Sequence, residues 1–120
     1  MEQEKIAKMI GIMFMSRTYA HMAHLKTSSY AKHKALNGFY DDIVGLTDSL
    51  AEAAQGTWGK LDIPFMDMKG DVEDPIGTLE VHITMLENLG RKCEKKYLDN
   101  VFQEIQALYY KTLYLLKELD

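Results

Sequence analysis

Histidine and carboxylate side chains around one predicted interhelical turn are the residues of this chain best suited to chemistry. Three of the four histidines, His21, His24 and His33, lie within a short segment, and Asp48 and Glu52 follow with i, i+4 spacing. Like charges at that spacing slightly destabilise a helix unless a cation lies between them. Neutral imidazoles together with carboxylates suit iron, zinc or manganese. These five residues are therefore candidate metal ligands. Surface acids and hydrogen-bonded core histidines are the alternative interpretation.

Other familiar catalytic motifs are missing from the sequence. It contains no CxxC pair, Gly-rich phosphate loop, GxSxG or HExxH motif. The fourth histidine, His82, stands apart from the others and is predicted to be structural. The single cysteine, Cys93, cannot form an internal disulfide, which favours a reducing cytoplasm.

The net charge argues against binding to DNA, and the hydropathy argues against a membrane span. The net charge of −4 disfavours binding to DNA, whose phosphates require basic surfaces. The longest early apolar stretch, residues 9–15, has about half the length of a membrane span. We therefore expect a cytoplasmic protein with no membrane anchor.

Apolar residues at steps of three and four predict four helices, at about residues 5–25, 30–55, 75–89 and 94–119. Ser and Thr at 27–29 are candidate N-caps, Asp74-Pro75 is a second helix start, and Gly56 is a candidate C-cap. The link of residues 57–74 carries apolar side chains that are expected to pack. At 120 residues the chain has room for a single domain, 1–120. Two short links and one long crossover between helices 2 and 3 favour an all-α four-helix bundle of ferritin-like connectivity.

A helical wheel places the candidate acids beside the core of the bundle. At about 100° per residue, the polar strip of helix 2 is displaced by more than a quarter turn from the apolar residues between 36 and 50. A site on such a strip needs a second chain to complete its ligands and exclude water, so we expect an oligomer. The strip comprises His33, Asn37, Asp41, Asp48 and Glu52.

The tract AHLKTSSYAKHKALNGFYDDIVGLTDSLAEAAQG, which begins at Ala23, resembles the Dps-like branch of the ferritin superfamily. In that family a helix 2 histidine is followed by a tyrosine seven residues on, an aspartate after fifteen and a glutamate four beyond. His33, Tyr40, Asp48 and Glu52 keep these intervals. The resemblance implies an iron site shared between subunits, a ferroxidase activity that uses peroxide or oxygen, and assembly as a dimer or a Dps-like shell.

The helix 1 ligand stays open between two histidines. His21 has the family's spacing to His33, whereas His24 occupies the place of the family's His-Trp pair, with Leu25 instead of tryptophan. Asn37 stands where the family has a further acid, which weakens a second iron position. Tyr40 and Asn37 are candidates for hydrogen bonding to the ligands. The metal is expected to be iron, with zinc or manganese as alternatives.

The tract also looks like small tailed-phage proteins described as Dps-like, which would place the chain in an infected bacterial cytoplasm. The alternative function is a non-catalytic helical binding protein of a phage, a counter-defence factor that captures a host protein or a nucleotide signal. Basic residues around the same turn could contact phosphate. A purely structural helical oligomer is a third interpretation, so whether the chain is an enzyme stays open. The basic residues are Arg17, Lys26, Lys32 and Lys34.

Overall fold

The computed structural model describes residues 2–67, 70–91 and 93–118, which form four α-helices and no strand. The helices are α1 (Glu2–Lys26), α2 (Tyr30–Trp58), α3 (Pro75–Gly90) and α4 (Lys96–Glu118). The prediction of an all-helical chain with four helices is confirmed. Residue 119, at which the sequence analysis ends the fourth helix, lies outside the described residues.

Capping side chains fix the start of two helices. Ser29 is the N-cap of α2, and its hydroxyl accepts a hydrogen bond from Lys32 N. Asp74 is the N-cap of α3, where its carboxylate accepts from Gly77 N and Pro75 takes the first helical position.

The predicted C-cap of α2 at Gly56 is wrong. The helix continues to Trp58, and Gly59 ends it with a φ of 85°, while its N–H donates to Gln55 O. Gly59 is the single described residue with a φ in the left-handed region. Glycine adopts that conformation without steric cost, so the conformation at Gly59 determines where the helix ends.

The four helices pack in a square in which each helix contacts two others. α1 packs against α2 and α3, and α4 packs against the same two helices. Lys26 at the end of α1 pairs with Glu73 just before α3, whereas Glu2 at the other end of α1 contacts Cys93 after α3. α1 and α3 are therefore antiparallel. The long crossover must return along the bundle from the end of α2 to the start of α3.

All four helices contribute to one apolar core. Met22 and Leu25 continue the three-and-four apolar spacing of the first helix, but they are 48% and 73% exposed, so the core does not follow that spacing to the end of α1. Ala20 and Ala23 are buried instead, because small side chains face the core in the last turns of α1. None of the helices in the described ranges has the length and apolarity needed to cross a bilayer.

The crossover lies against the middle of α1. A Cβ atom at Gly11 would lie 2.7 Å from the carbonyl oxygen of Pro64 and 2.8 Å from Cγ of Met66, so only glycine permits this approach. Leu61 and Met66 pack partly against the core, as expected for a packed link. Phe65 was expected to pack and does not: it is 96% exposed, because its neighbours on both sides contact α1.

Candidate metal site

The side chains of His24 and His33 each hydrogen-bond to the backbone of the other residue across the α1–α2 turn. Nδ1 of His24 lies 2.8 Å from the carbonyl oxygen of His33, and Nδ1 of His33 lies 2.9 Å from the carbonyl oxygen of His24. A carbonyl oxygen can only accept, so each Nδ1 carries a proton. In a neutral imidazole the lone pair is then on Nε2. The helices produce this geometry, because His24 lies in the last turn of α1, where carbonyl groups lack helical partners.

This arrangement prepares each ring as a possible metal ligand. Ligating histidines commonly donate their second ring N–H to a backbone carbonyl, which fixes the ring and its tautomer. Among the described residues, the buried side-chain nitrogen or oxygen atom that lacks a hydrogen-bond partner is Nε2 of His82. Nε2 of His24 is therefore not a buried atom without a partner, and it remains accessible to solvent. The lone pairs of His24 and His33 are therefore available at the turn.

The stacking of the two rings limits how they can bind an ion. Their centroids are 3.6 Å apart and their planes differ by 25°. A ligand's lone pair lies in the plane of its ring, so one ion cannot lie in both nearly parallel planes at bonding distance. Among the described residues, no group of three His, Cys, Asp or Glu side chains is placed to hold a metal ion. One chain thus offers one of these two imidazoles per ion.

His21 extends the cluster through Tyr40. The two rings stack with centroids 4.2 Å apart, and Tyr40 lies edge-on to His24 at 5.2 Å. The Tyr40 hydroxyl donates to Asn37 Oδ1 at 2.7 Å, and Asn37 Nδ2 donates to Asp41 Oδ2 at 3.2 Å. The structure therefore brings the candidate residues His21, Tyr40 and Asn37 to the same surface as His24.

Asp48 and Glu52 lie elsewhere on the same chain. Both are exposed on α2 and form no ion pair or hydrogen bond with the described residues. At about 1.5 Å per residue, they are roughly 22 and 28 Å further along the axis of α2 than His33. A single chain does not bring these acids to the histidines, so a site that uses both requires two chains and stays a prediction.

The basic residues around the turn are partly neutralised. Lys26 pairs with Glu73 at 3.4 Å, and Lys34 Nζ lies 5.6 Å from the centre of the Tyr30 ring. Glu73 and Asp74 line the same surface cavity as Lys26 and Lys32. The turn thus presents both charge signs, which gives a nucleotide phosphate less attraction than the sequence alone indicates.

A second polar cluster lies inside the bundle, and the sequence alone did not predict it. Tyr109 OH donates to Ser16 Oγ at 2.6 Å, and Ser16 Oγ lies 2.6 Å from Nδ1 of His82. All three side chains are buried, and burial lowers the pKa of His82 to about 4 and raises the pKa of Tyr109 well above its usual range. Polar residues among the apolar positions of α1 and α4 are the signal that could have found this cluster. Because it is sealed in the core, we assign it to stability.

A family model described as a family of unknown function, DUF5856, matches residues 24–116, and the chain belongs to that family. The matched range includes His24, His33, Asp48 and Glu52 but not His21. The chain is also similar to a protein of Enterobacteria phage T4 called "Uncharacterized 14.6 kDa protein in mobD-ri intergenic region". The two are 25% identical over 114 residues, which cover 93% of this chain and 88% of the phage protein. No solved structure matches. These matches do not show a Dps-like or ferritin-like relationship.

Proposed function

We propose that this member of the DUF5856 family assembles with copies of itself and binds iron between chains. An imidazole at the α1–α2 turn of one chain, from His24 or His33, would share the ion with Asp48 and Glu52 of another. The observation that carries the proposal is the pair of reciprocal Nδ1 hydrogen bonds, which leaves Nε2 of both rings available as a ligand.

The ligand set explains why a second chain is needed. One chain supplies one of the stacked imidazoles per ion, and a single nitrogen does not hold a divalent cation firmly. Asp48 and Glu52 are exposed, adjacent on one helix face and without ion-pair partners among the described residues, so they are suited to complete the coordination of a neighbour's ion. Mixed nitrogen and oxygen ligands also suit zinc and manganese.

His24 is a better ligand candidate than His21. The Nδ1 of His24 is held by a carbonyl oxygen, whereas the described part of the chain gives the His21 ring a stacking partner in Tyr40 but no hydrogen bond. A ring held by a hydrogen bond has less freedom to lose on binding. His24 also lies inside the range that matches the family, and His21 lies outside it.

Iron oxidation is the activity we propose for this site. The resemblance of the helix 2 intervals to Dps-like proteins supports it, as does the single long crossover, which ferritin-like bundles share. Hydrogen peroxide would take one electron from each of two Fe(II) ions and leave, with two protons, as two water molecules. The carboxylates favour this step because their negative charge stabilises Fe(III) more than Fe(II). The phage relative favours an infected bacterial cytoplasm as the place of action.

The test replaces the acids and leaves the histidines in place, because the histidines also connect α1 to α2. The double variant Asp48→Asn, Glu52→Gln should bind Fe(II) at least about tenfold more weakly in equilibrium dialysis of untagged protein, and should lose the iron-dependent rise in absorbance. The matched control Asp42→Asn, Glu104→Gln removes two other exposed acids and should behave like the parent. Iron binding and oxidation at the parent level in the Asp48/Glu52 double variant would contradict the proposal.

A further inference from the structure

A surface cavity of about 410 Å³ lies at the end of the bundle where α1 ends and α2 and α3 begin. This volume is within the range of cavities that bind small molecules. Its apolar lining includes Leu36 of α2, Ile76 of α3 and Leu116 of α4, none of which is exposed. Polar groups contribute about as much to the lining as apolar groups do. A wholly apolar ligand and a wholly charged ligand would therefore each leave much of the lining unmatched.

The charged residues of the lining are sorted by sign between two chain segments. Lys26 and Lys32 flank the α1–α2 turn, whereas Glu73 and Asp74 lie together just before α3. Because α3 begins where α1 ends, the two segments face each other, and Nζ of Lys26 lies 3.4 Å from Oε1 of Glu73. Two lysines and two acids sum to no net charge. The cavity thus offers a positive side and a negative side to one ligand.

Lys32 is the charged group of this lining that most clearly lacks a partner. It is half-buried, and its ammonium forms no ion pair or hydrogen bond with the described residues. A half-buried ammonium is favoured when an anion lies beside it. No acidic side chain lies in the first turn of α2, so the positive end of that helix dipole is not neutralised by its own residues either. This side of the cavity therefore favours a carboxylate.

The negative side of the cavity can exchange its present partner. The ion pair between Glu73 and Lys26 is exposed on both sides, and exposed pairs contribute little to stability. An ammonium group of a ligand can therefore replace Lys26 beside Glu73 at little cost. The contact between these two residues also shows that the opposite charges of the lining lie close together.

We propose that this cavity binds a free α-amino acid with an apolar side chain. The carboxylate of the ligand faces Lys32, its ammonium faces Glu73, and its side chain packs on the apolar lining. An α-amino acid carries its two charges on one carbon atom, which suits a lining whose opposite charges are close together, and it keeps the site neutral. The proposal uses none of the proposed metal ligands and does not depend on the proposed function.

Calorimetric titration of untagged protein with L-leucine in EDTA tests the proposal without any contribution from metal. L-Leucine should bind saturably at micromolar to millimolar concentrations. Glycine has no side chain to bury and should bind at least about tenfold more weakly. 4-Methylpentanoate lacks the ammonium group and leucinamide lacks the carboxylate, so both should bind more weakly than leucine.

Two substitutions test which residues hold the charges of the ligand. Lys32→Met removes the ammonium but keeps a long side chain, and it should raise the dissociation constant for leucine by about tenfold or more. Glu73→Lys makes the lining positive, so 4-methylpentanoate should bind to this variant more tightly than leucine, the reverse of the order in the parent. Lys60→Gln, which changes an exposed lysine just beyond the far end of α2, is the control and should bind leucine like the parent. Circular dichroism verifies that each variant keeps its helices.

A parent that shows no saturable binding at tens of millimolar leucine would overturn the proposal. Glycine or leucinamide that binds as tightly as leucine would do so as well, as would parent-like leucine binding by Lys32→Met or an unchanged ligand order in Glu73→Lys. The Asp48→Asn, Glu52→Gln variant should bind leucine like the parent, so failure of the metal site and failure of this cavity are distinguishable.

Discussion

The ring nitrogens of histidine have different surroundings at the α1–α2 turn and in the core. At the turn, Nδ1 of His24 and of His33 donates to a carbonyl and leaves Nε2 available. In the core, the Ser16 hydroxyl, which itself accepts from Tyr109, contacts Nδ1 of His82, and Nε2 is sealed without a partner. Residue type alone therefore does not identify a ligand. The hydrogen-bond partner of Nδ1 and the access to Nε2 decide the role of each histidine.

Acid should destabilise the fold through His82. Burial lowers its pKa from 6.5 to about 4 in the folded chain, so between these values the unfolded chain binds more protons. The stability that neutral His82 contributes is complete above about pH 6.5 and is lost as the pH falls toward 4. The free energy of unfolding in urea should drop by about 2 kcal/mol between pH 7 and pH 5 on this account. The variant His82→Gln should show a smaller drop, and equal drops in both proteins would contradict the assignment.

Removing the hydroxyl at the centre of the buried cluster should be costly. Ser16→Ala leaves Tyr109 OH and His82 Nδ1 without their partner in the core, so we expect a loss of about 1–3 kcal/mol in the free energy of unfolding. Thr84→Ala removes an exposed hydroxyl that donates to Glu80 O within the same helix, and it should change stability by less than about 0.5 kcal/mol. If the two variants are equally stable, the cluster is not a stabilising element.

Local signals predicted the helices well and their packing less well. Ser29 and Asp74 act as caps through hydrogen bonds to nearby backbone groups, so sequence alone identifies them. The exposure of Leu25 and Phe65 depends instead on which side of α1 the neighbouring elements cover. Helical periodicity identifies an apolar face, but it does not show how far along the helix that face is covered.

The crossover lies close to α1 at one helical glycine but not at another. Alanine substitutions at these two glycines should therefore change the stability of the fold in opposite directions. Gly11→Ala places a Cβ within 2.8 Å of Pro64 O and Met66 Cγ, so the crossover must shift, and we expect a loss of about 1–3 kcal/mol in stability. Gly45→Ala in α2 meets nothing within 4 Å and should gain about 0.5–1 kcal/mol from helix propensity. Chemical denaturation measures both. Stabilisation by both substitutions would show that the crossover does not lie tightly on Gly11.

At the scale of the whole molecule, the candidate ligands form two groups on the α1–α2 side of the bundle. The histidines lie at the turn, and the acids lie roughly 22 Å or more further along α2. Sequence spacing predicts His24, His33, Asp48 and Glu52 as candidate ligands of one site, and this stays a prediction. It did not reveal the tautomers of the histidines, which depend on carbonyl groups brought close by the turn. The proposed ligand set would depend on an assembly of chains, which spacing along one chain does not define.

Anomalous scattering at the iron edge, from crystals grown anaerobically with Fe(II), tests the central claim most directly. The account predicts a peak at coordination distance from Nε2 of His24 or His33 of one chain and from a carboxylate oxygen of Asp48 or Glu52 of another. Crystals without bound iron would contradict it, as would iron held by a single chain with Asp48 and Glu52 remote from every histidine.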